Sequence, residues 1–266
     1  MATPDTGTSV GLTKVGLLTG LSYVSGVDYY KGINEQASAL LPKGKHMKAN
    51  PPMVLVSLDC DQYVAYLEAR DDAGVAEYLF AGVETLHAAN VDFVVICSNT
   101  AHCVVPMVRQ RLPSLPLLHI ADCSASACKE RGITTVGLLG TEPTMRDGSW
   151  LKSCLGEHGL TVIVPTEQAS QRRCYDIICQ ELSFDIYKDE SRDFLLVLVA
   201  EMQALGCQGV ILGCTELELL LTREHEGRAA LPLIRSAAVH ITAAARVLAG
   251  AAALDDFSPS IGTSSS

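Results

Sequence analysis

Short apolar runs rich in Val, Leu and Ile alternate along this chain with longer segments in which apolar residues recur every three or four positions. The short runs are typical of buried strands, whereas the longer periodic segments are typical of amphipathic helices. Strands are predicted near residues 14–19, 53–58, 92–97, 116–120, 134–139, 160–164 and 208–212. The alternation of the two patterns predicts an α/β fold in which helices cover mostly parallel sheets.

Two of the periodic segments carry clear signals for helix ends. Residues 71–89 begin with two aspartates, which suit the positive end of a helix dipole, and the pattern ends at Asn90. Residues 189–205 also begin with two acidic residues and stop before Gly206. Both segments are therefore predicted to be helices.

Two sequence landmarks occur twice, in the same order and at nearly the same separation. The run VGLLTG at residues 15–20 is similar to VGLLGT at residues 136–141. An apolar run that leads into Ser98 is matched by another that leads into Cys214. This repetition predicts two pseudo-symmetric copies of one αβα unit.

The repetition also predicts how the chain is divided. We expect a first α/β domain at residues 13–122 and a second at residues 123–254, with flexible tails at residues 1–12 and 255–266. The Ala-rich segment 237–254 is predicted to be a C-terminal helix packed on the second unit. The alternative is that part of the C-terminal segment returns to the first unit.

The repeated landmarks predict where the chemistry lies. Open α/β sheets bind ligands at the carboxyl ends of their strands, so two facing units would enclose one crevice. Ser98 and Cys214 each follow an apolar run directly. We therefore expect them on opposite walls of a crevice between the two domains.

Composition narrows the class of protein. The net charge of −10 argues against a nucleic-acid partner, which requires a basic face. The chain lacks an apolar run long enough to cross a membrane and lacks a secretory signal pattern, so we expect a cytoplasmic protein. The ten cysteines form no Cys-x-x-Cys pair, which fits free thiols and predicts no metal site.

One loop stands out because it is basic in an acidic chain. Residues 41–52 contain Lys43, Lys45 and Lys48 together with Pro and Gly. The loop is either a solvated connection or a lid whose cation meets the distal carboxylate of a substrate. Both interpretations stay open on the sequence.

Several motifs, taken in order, resemble those of the cofactor-independent aspartate/glutamate racemase superfamily, and within it the aspartate racemase-like branch. They are Gly20-Leu21-Ser22 with Ser25, Ser98-Asn99-Thr100-Ala101-His102, Gly137-Leu138-Leu139-Gly140-Thr141, Gly213-Cys214-Thr215-Glu216, and Pro232-Leu233-Ile234 followed by His240. The resemblance covers residues 14–249. It implies an isomerase that racemises aspartate or glutamate without a cofactor, and it implies a homodimer.

The resemblance also implies roles for particular residues. Cys214 would be the thiol that removes or returns the Cα proton, and Ser98 would be the group on the opposite wall. A thiol suits this task because its pKa is close to neutrality, and a helix N-terminus or neighbouring donors can lower a thiol pKa further. The residues implied to bind the substrate are Ser22, Asn99, Thr100, Thr141, Thr215 and Glu216. His102 and His240 are expected to be hydrogen-bonded structural groups.

The sequence departs from the racemase pattern at four positions. Ser98 occupies the place of the usual first cysteine, Thr19 that of a common glycine, Gly26 that of a common threonine, and Arg235 that of a common acidic residue. Cys97 is one residue too early to replace the missing thiol, because neighbouring side chains of a strand point to opposite faces.

Four interpretations of Ser98 are compatible with the sequence: a natural sub-branch, an engineered change, a one-sided enzyme, and a protein that only binds its ligand. A serine hydroxyl does not ionise near neutral pH, so it can act only by donating a proton or by ordering a water molecule. Besides a racemase that is impaired or one-sided, the alternatives are a one-thiol decarboxylase of the arylmalonate type and a small-acid-binding protein.

Overall fold

The structure is a computed structural model, and it describes residues 13–42 and 48–259. Lys43 and Lys45 of the basic loop lie outside the described residues, and Lys48 is exposed. The expected tail at residues 1–12 also lies outside them, as do residues 260–266.

Eight strands form two parallel sheets of four strands each. Their bounds are β1 Val15–Thr19, β2 Met53–Ser57, β3 Phe93–Ile96, β4 Leu117–Leu118, β5 Thr135–Gly140, β6 Thr161–Ile163, β7 Gly209–Gly213 and β8 Leu233–Arg235. The strand order is β2-β1-β3-β4 in the first sheet and β6-β5-β7-β8 in the second, so the two sheets have the same topology. All pairings are parallel.

The sheets confirm the predicted fold class, an α/β protein with two repeated parallel sheets. Each of the seven predicted strands is present, with ends that differ by one or two residues. The strand predicted at 116–120 is shorter than expected because a helix already begins at Ile120. The three-residue edge strand β8 was not predicted.

Eleven α-helices connect and cover the strands of the described chain. Their bounds are α1 Tyr23–Leu40, α2 Cys60–Glu68, α3 Asp72–Ala88, α4 Val105–Arg111, α5 Ile120–Glu130, α6 Glu142–Met145, α7 Trp150–Glu157, α8 Gln168–Asp176, α9 Asp189–Ala204, α10 Thr215–Leu220 and α11 Ser236–Leu248. A π-helical segment, Ile177–Glu181, continues α8, and short 3₁₀ segments include Thr100–Val104, Arg223–Arg228 and Leu254–Asp256.

The two helices predicted from their end signals are confirmed as α3 and α9. The side chain of Asp71 caps α3 by accepting a hydrogen bond from the Gly74 backbone amide at 2.8 Å. Asn90 follows α3 with a positive φ of 53°, and Gly206 follows α9 with a φ of 89°. Left-handed residues of this kind stop helices because they turn the chain out of the helical path.

The C-terminal helix α11 packs mainly on the first domain. Its buried residues, among them Ile241 and Leu248, belong to the core of the first domain together with Leu17 and Tyr29. Packing against α1 is close, because a Cβ atom added at Gly32 would lie 2.9 Å from the side chain of Ile241. Most of the buried face of α11 therefore lies in the core of the first domain, while Val239 also packs against the core residues of β5 and β7.

The structure also describes the C-terminal end of the chain and the region of the predicted domain boundary. Leu254–Asp256 is a 3₁₀ segment, and Phe257 is buried in the first core, so the beginning of the expected tail 255–266 packs on the protein. Helix α5 runs from Ile120 to Glu130, across the predicted division after residue 122. That division stays a prediction.

A separate core holds the second domain together, with residues from α8, α9 and β7. Within the described part of the chain, no helix combines the length and the apolar character that crossing a membrane requires.

Candidate active site

Each sheet has two central strands, β1 and β3 in the first and β5 and β7 in the second. The turns after these four strands carry the candidate residues. The turn after β1 needs a glycine: Gly20 has a φ of 91°, and a Cβ atom there would lie 2.2 Å from the carbonyl oxygen of Leu58. This close contact between the ends of β1 and β2 sets the direction of the chain into Ser22. Ser22 is the N-cap of α1 and accepts a long hydrogen bond of 3.5 Å from the Ser25 amide.

In the second domain the corresponding strand ends are packed equally closely. Gly140 and Gly213 are register partners on β5 and β7. A Cβ atom at Gly213 would lie 3.0 Å from the Leu139 carbonyl oxygen, and one at Gly140 would lie 3.1 Å from the side chain of Thr144. The glycines therefore let Thr144 and Cys214 approach the ends of both strands.

Ser98 follows β3 and is partly exposed, whereas the preceding Cys97 is buried in the first core. Burial raises the pKa of the Cys97 thiol well above its usual value. The opposite orientation of neighbouring side chains thus places Ser98, and not Cys97, at the end of the strand. The ring of His102 donates from Nδ1 to the Ser98 carbonyl oxygen at 2.8 Å and so holds this turn.

Asn99 connects the first strand end to the second domain. Its amide nitrogen donates to the hydroxyl of Ser236 at 2.9 Å, and Ser236 in turn donates to the Leu212 carbonyl oxygen at 2.6 Å. The amide oxygen of Asn99 is buried and has no hydrogen-bond partner among the described residues. The side chain of Asn99 is therefore fixed in orientation, and its buried amide oxygen is free to accept a hydrogen bond. A buried acceptor without a partner lowers the stability of the protein, which favours a role for this oxygen in binding.

Cys214 follows β7 and is buried, with 9% of its surface exposed. Its thiol donates to Oε2 of Glu216 at 2.9 Å, and the Thr215 hydroxyl donates to the same oxygen at 2.8 Å. Burial and the neighbouring charge of Glu216 raise the pKa of Cys214 well above its usual value. In the free protein, desolvation and the carboxylate outweigh the lowering effect of the Glu216 backbone amide at the start of α10.

Hydroxyl groups from the two domains meet across the crevice. The Ser25 hydroxyl donates to the Thr215 hydroxyl at 2.7 Å, and the hydroxyls of Thr100 and Thr141 are 3.3 Å apart. Thr141 also contacts Thr144, with 3.0 Å between their hydroxyl oxygens. The predicted binding residues of the two halves are therefore brought together, and the crevice is closed by polar contacts that a small ligand can replace.

Four residues at or beside the site were not among the site residues predicted from the sequence. Ser25 and Thr144 lie three residues after Ser22 and Thr141, a spacing that puts them on the same side of a helical turn. Ser236 and Glu218 carried no local signal. The Glu218 carboxylate accepts hydrogen bonds from the first amides of α11, including Ala237 at 2.7 Å, and burial raises its pKa to about 7.

The two motif histidines lie behind the strand ends. His240 donates from Nε2 to the Leu118 carbonyl oxygen at 3.0 Å and accepts from the Tyr29 hydroxyl at 2.9 Å. Burial lowers the pKa of His102 to about 4 and that of His240 to about 3. Both rings are therefore neutral hydrogen-bonding groups near pH 7.

Potential metal ligands are scattered over the described part of the chain. Among residues 13–42 and 48–259, no three His, Cys, Asp or Glu side chains are grouped in a way that would hold a metal ion. The contacts of Cys214 are those of a thiol with a carboxylate and not those of a ligand set.

A family model of the Asp/Glu/hydantoin racemases matches residues 18–244, which include every predicted site residue. The chain belongs to this family. Racemases are isomerases, so the protein is an enzyme of the Asp/Glu racemase type. The resemblance seen in the sequence motifs is confirmed.

Solved structures agree with the family assignment. A Yersinia pestis protein described as an Asp/Glu racemase is 33% identical, with a TM-score of 0.78 over 89% of this chain and 99% of its own. An aspartate racemase homologue from Pyrococcus horikoshii is 26% identical, with a TM-score of 0.71 over 89% and 99% of the two chains. The aspartate racemase of Picrophilus torridus, 19% identical, shares the fold with a TM-score of 0.67 over 92% and 97%.

Proposed function

We propose that this racemase acts on aspartate or glutamate by moving the Cα proton between the two walls of the crevice. The observation that carries the proposal is the equivalent position of Ser98 and Cys214, which follow corresponding strands of two sheets with the same topology. Racemisation without a cofactor requires one proton-transfer group on each face of Cα. The repeated fold supplies one position for such a group in each domain.

The hydroxyl pairs across the crevice are the proposed binding groups for the α-carboxylate. In the closed crevice Thr100 contacts Thr141, and Ser25 contacts Thr215. A carboxylate between the walls would accept hydrogen bonds from these hydroxyls in place of the contacts that they now make with each other. The same donors stabilise the charge that moves into the carboxylate when Cα loses its proton.

Glu216 is the proposed partner of the substrate ammonium group. Its Oε2 already accepts from both the Cys214 thiol and the Thr215 hydroxyl. An ammonium beside Glu216 would offset the negative charge that keeps the thiol protonated, so substrate binding would lower the pKa of Cys214. Activation of the thiol would then depend on the presence of a substrate.

The proton transfers are unequal on the two faces. The Cys214 thiolate takes the Cα proton from the enantiomer that faces it, and the electron pair of the C–H bond moves into the carboxylate. On the other face, Ser98 orders a water molecule that delivers a proton to Cα, since an aliphatic hydroxyl is too weak an acid and base to act alone. Proton transfer is therefore slower on the face of Cα that meets Ser98 than on the face that meets Cys214.

Proton exchange at Cα tests the proposal directly. Each enantiomer of aspartate and glutamate is incubated with the protein in deuterium oxide, and deuterium at Cα and the enantiomeric ratio are followed by NMR and chiral chromatography. We expect exchange with at least one of the two amino acids, faster for one enantiomer. Absence of exchange with all four compounds, despite saturable binding, would identify the chain as a small-acid-binding protein.

One observation favours a second candidate reaction. The Cys214 thiol donates a hydrogen bond of 2.9 Å to the Glu216 carboxylate, and a neutral thiol held in this way suits a group that donates a proton. A one-thiol decarboxylase uses such a group to protonate a planar intermediate after carbon dioxide leaves. Carbon dioxide release from α-aryl or α-amino malonates, without exchange of the amino acids, would favour this reaction.

The cellular setting and the assembly are part of the same proposal. All ten cysteines are free, which suits a reducing cytoplasm. A homodimer rests on the resemblance to the family, and the reaction is proposed to need no cofactor. Sedimentation analysis of the purified protein distinguishes a dimer from a monomer.

A further inference from the structure

A cavity of about 340 Å³ lies outside the crevice. It is lined by residues of α5, β8 and α11 and by Arg223 and Glu226 of the 3₁₀ segment that follows α10, and Phe257 also lines it. None of the proposed catalytic or carboxylate-binding residues lines this cavity. A role in binding would therefore be separate from the racemase reaction.

The cavity is cationic although the protein is acidic. Four arginines line it, against two glutamates, in a chain with a net charge of −10. The lining charges are Arg131, Arg223, Arg235, Arg246, Glu130 and Glu226. Within the described part of the chain, Arg235 pairs with Glu226, whereas Arg131, Arg223 and Arg246 form no ion pair. Their charges are thus available to a ligand.

Arg235 is the fixed member of this group, with only 8% of its surface exposed. Its Nε donates to Glu226 at 3.1 Å, and its Nη1 donates to the Leu221 carbonyl oxygen at the end of α10. Its Nη2 is buried and has no hydrogen-bond partner among the described residues. An unpaired buried guanidinium nitrogen is costly, and an anion or a water molecule that reached it would remove this cost.

We propose that this cavity, called here the arginine cavity, binds a small anion that carries two or more negative charges. Guanidinium groups suit carboxylate and phosphate oxygens because they offer paired donors in one plane. The volume is at the lower end of the range for small-molecule sites, about 300 to 1,000 Å³. Arg246 and Arg223, both exposed, meet the ligand from opposite elements, and Arg235 forms the inner wall.

Calorimetric titration at constant ionic strength tests the site with two probes: pyrophosphate for phosphate compounds and tricarballylate for carboxylate compounds. Acetate, with one charge, is the reference. The variants are Arg246→Gln and Arg223→Gln. The matched control is Arg228→Gln, because Arg228 lies on the same 3₁₀ segment but pairs with Asp193 at 2.7 Å and does not line the cavity.

We expect saturable binding of at least one probe to the unaltered protein and none of acetate. Binding should weaken by about tenfold or more in Arg246→Gln and Arg223→Gln, and by less than about twofold in Arg228→Gln. The probe that binds more tightly identifies the ligand as a phosphate or a carboxylate compound. The proposal is overturned if neither probe saturates, or if binding is the same in all three variants.

Discussion

The thiol of Cys214 and the carboxylate of Glu216 are joined by a hydrogen bond of 2.9 Å at the end of β7. The two residues are separated by one position in the sequence, and the turn from β7 into α10 brings their side chains together. A carboxylate this close favours the protonated thiol, so the pair is at rest as thiol and carboxylate. Removing the negative charge of Glu216 should therefore favour the thiolate.

Replacing Glu216 by Gln should lower the pKa of Cys214 in the free enzyme, so that the thiolate forms at a lower pH than in the parent protein. The reason is that a neutral amide no longer disfavours the thiolate. The measurement is the pH dependence of Cys214 alkylation by iodoacetamide, read from the Cys214 peptide by mass spectrometry. Glu224→Gln, an exposed carboxylate farther along the chain, is the control. An unchanged profile in Glu216→Gln would remove Glu216 from the account of thiol reactivity.

Replacing Cys214 by Ala should abolish Cα proton exchange and leave ligand binding intact. The substitution removes the thiol but keeps the hydroxyls of Thr100 and Thr141, which bind the carboxylate in the proposal. Exchange is measured by NMR in deuterium oxide and binding by calorimetry. A rate within about tenfold of the parent, a barrier change below about 1.4 kcal/mol, would exclude Cys214 as the acid/base.

Cys97→Ala is the matched control, because this thiol precedes Ser98 but lies in the first core. It should lower the free energy of unfolding by about 1 kcal/mol through lost packing and keep the exchange rate. Chemical denaturation and the exchange assay measure the two effects. If a folded Cys97→Ala protein lost exchange entirely, Cys97 would be the base of the first domain.

Ser98→Cys should speed the slow face of the reaction. Both directions of racemisation pass through the step at Ser98, so that step limits the net rate in the parent protein. A thiol in its place can act as general acid and base, which is worth about 10² to 10⁴-fold. The experiment compares Cα exchange of separate L and D substrates in the two proteins. Equal racemisation rates would show that Ser98 with its water is already sufficient.

Thr19 and Gly26 should prove energetically coupled. A Cβ atom at Gly26 would lie 3.0 Å from the Thr19 Cβ, so the threonine fills the space that a larger residue in α1 would need. Gly26→Thr should destabilise the protein by about 1 to 3 kcal/mol, and Thr19→Gly should recover part of this loss. Denaturant unfolding of the two single variants and the double variant gives the coupling. Gly156→Thr is the control, because Gly156 is a helical glycine with open surroundings. If the two single changes in unfolding free energy simply add up in the double variant, Thr19 and Gly26 are not coupled.

Stability should depend on pH through His240. Burial lowers the pKa of this ring from 6.5 to about 3, so on acidification the unfolded chain takes up a proton that the folded protein refuses. His240 therefore contributes a loss of stability of about 1.4 kcal/mol per pH unit as the pH falls below about 6.5. Unfolding free energies of the parent and His240→Gln, measured from pH 7.5 to 5.5, should converge as the pH falls. A constant difference between the two would contradict the assignment.

The amino-acid sequence alone predicts the fold and includes most residues of the candidate site among its candidates. Buried parallel strands are nearly continuous apolar runs, so each of the seven predicted strands could be recognised locally. The catalytic candidates could be located because Ser98 and Cys214 come within two residues of the ends of such strands, and parallel strands present their carboxyl ends at one edge. The resemblance of the motifs to a racemase family then gave the class of reaction, which the family model confirms.

Contacts between residues that are far apart in the sequence could be seen only in the folded protein. Helix α11 has an apolar face that fits either domain, and its packing against Gly32 of α1 selects the first. The pKa of Cys214 depends on burial and on the orientation of the Glu216 carboxylate, neither of which is a local property of the sequence. Arg235 and Arg246 form one cavity because β8 and α11 fold back beside α5. Such contacts join segments far apart in the chain, and no periodic pattern within one segment encodes them.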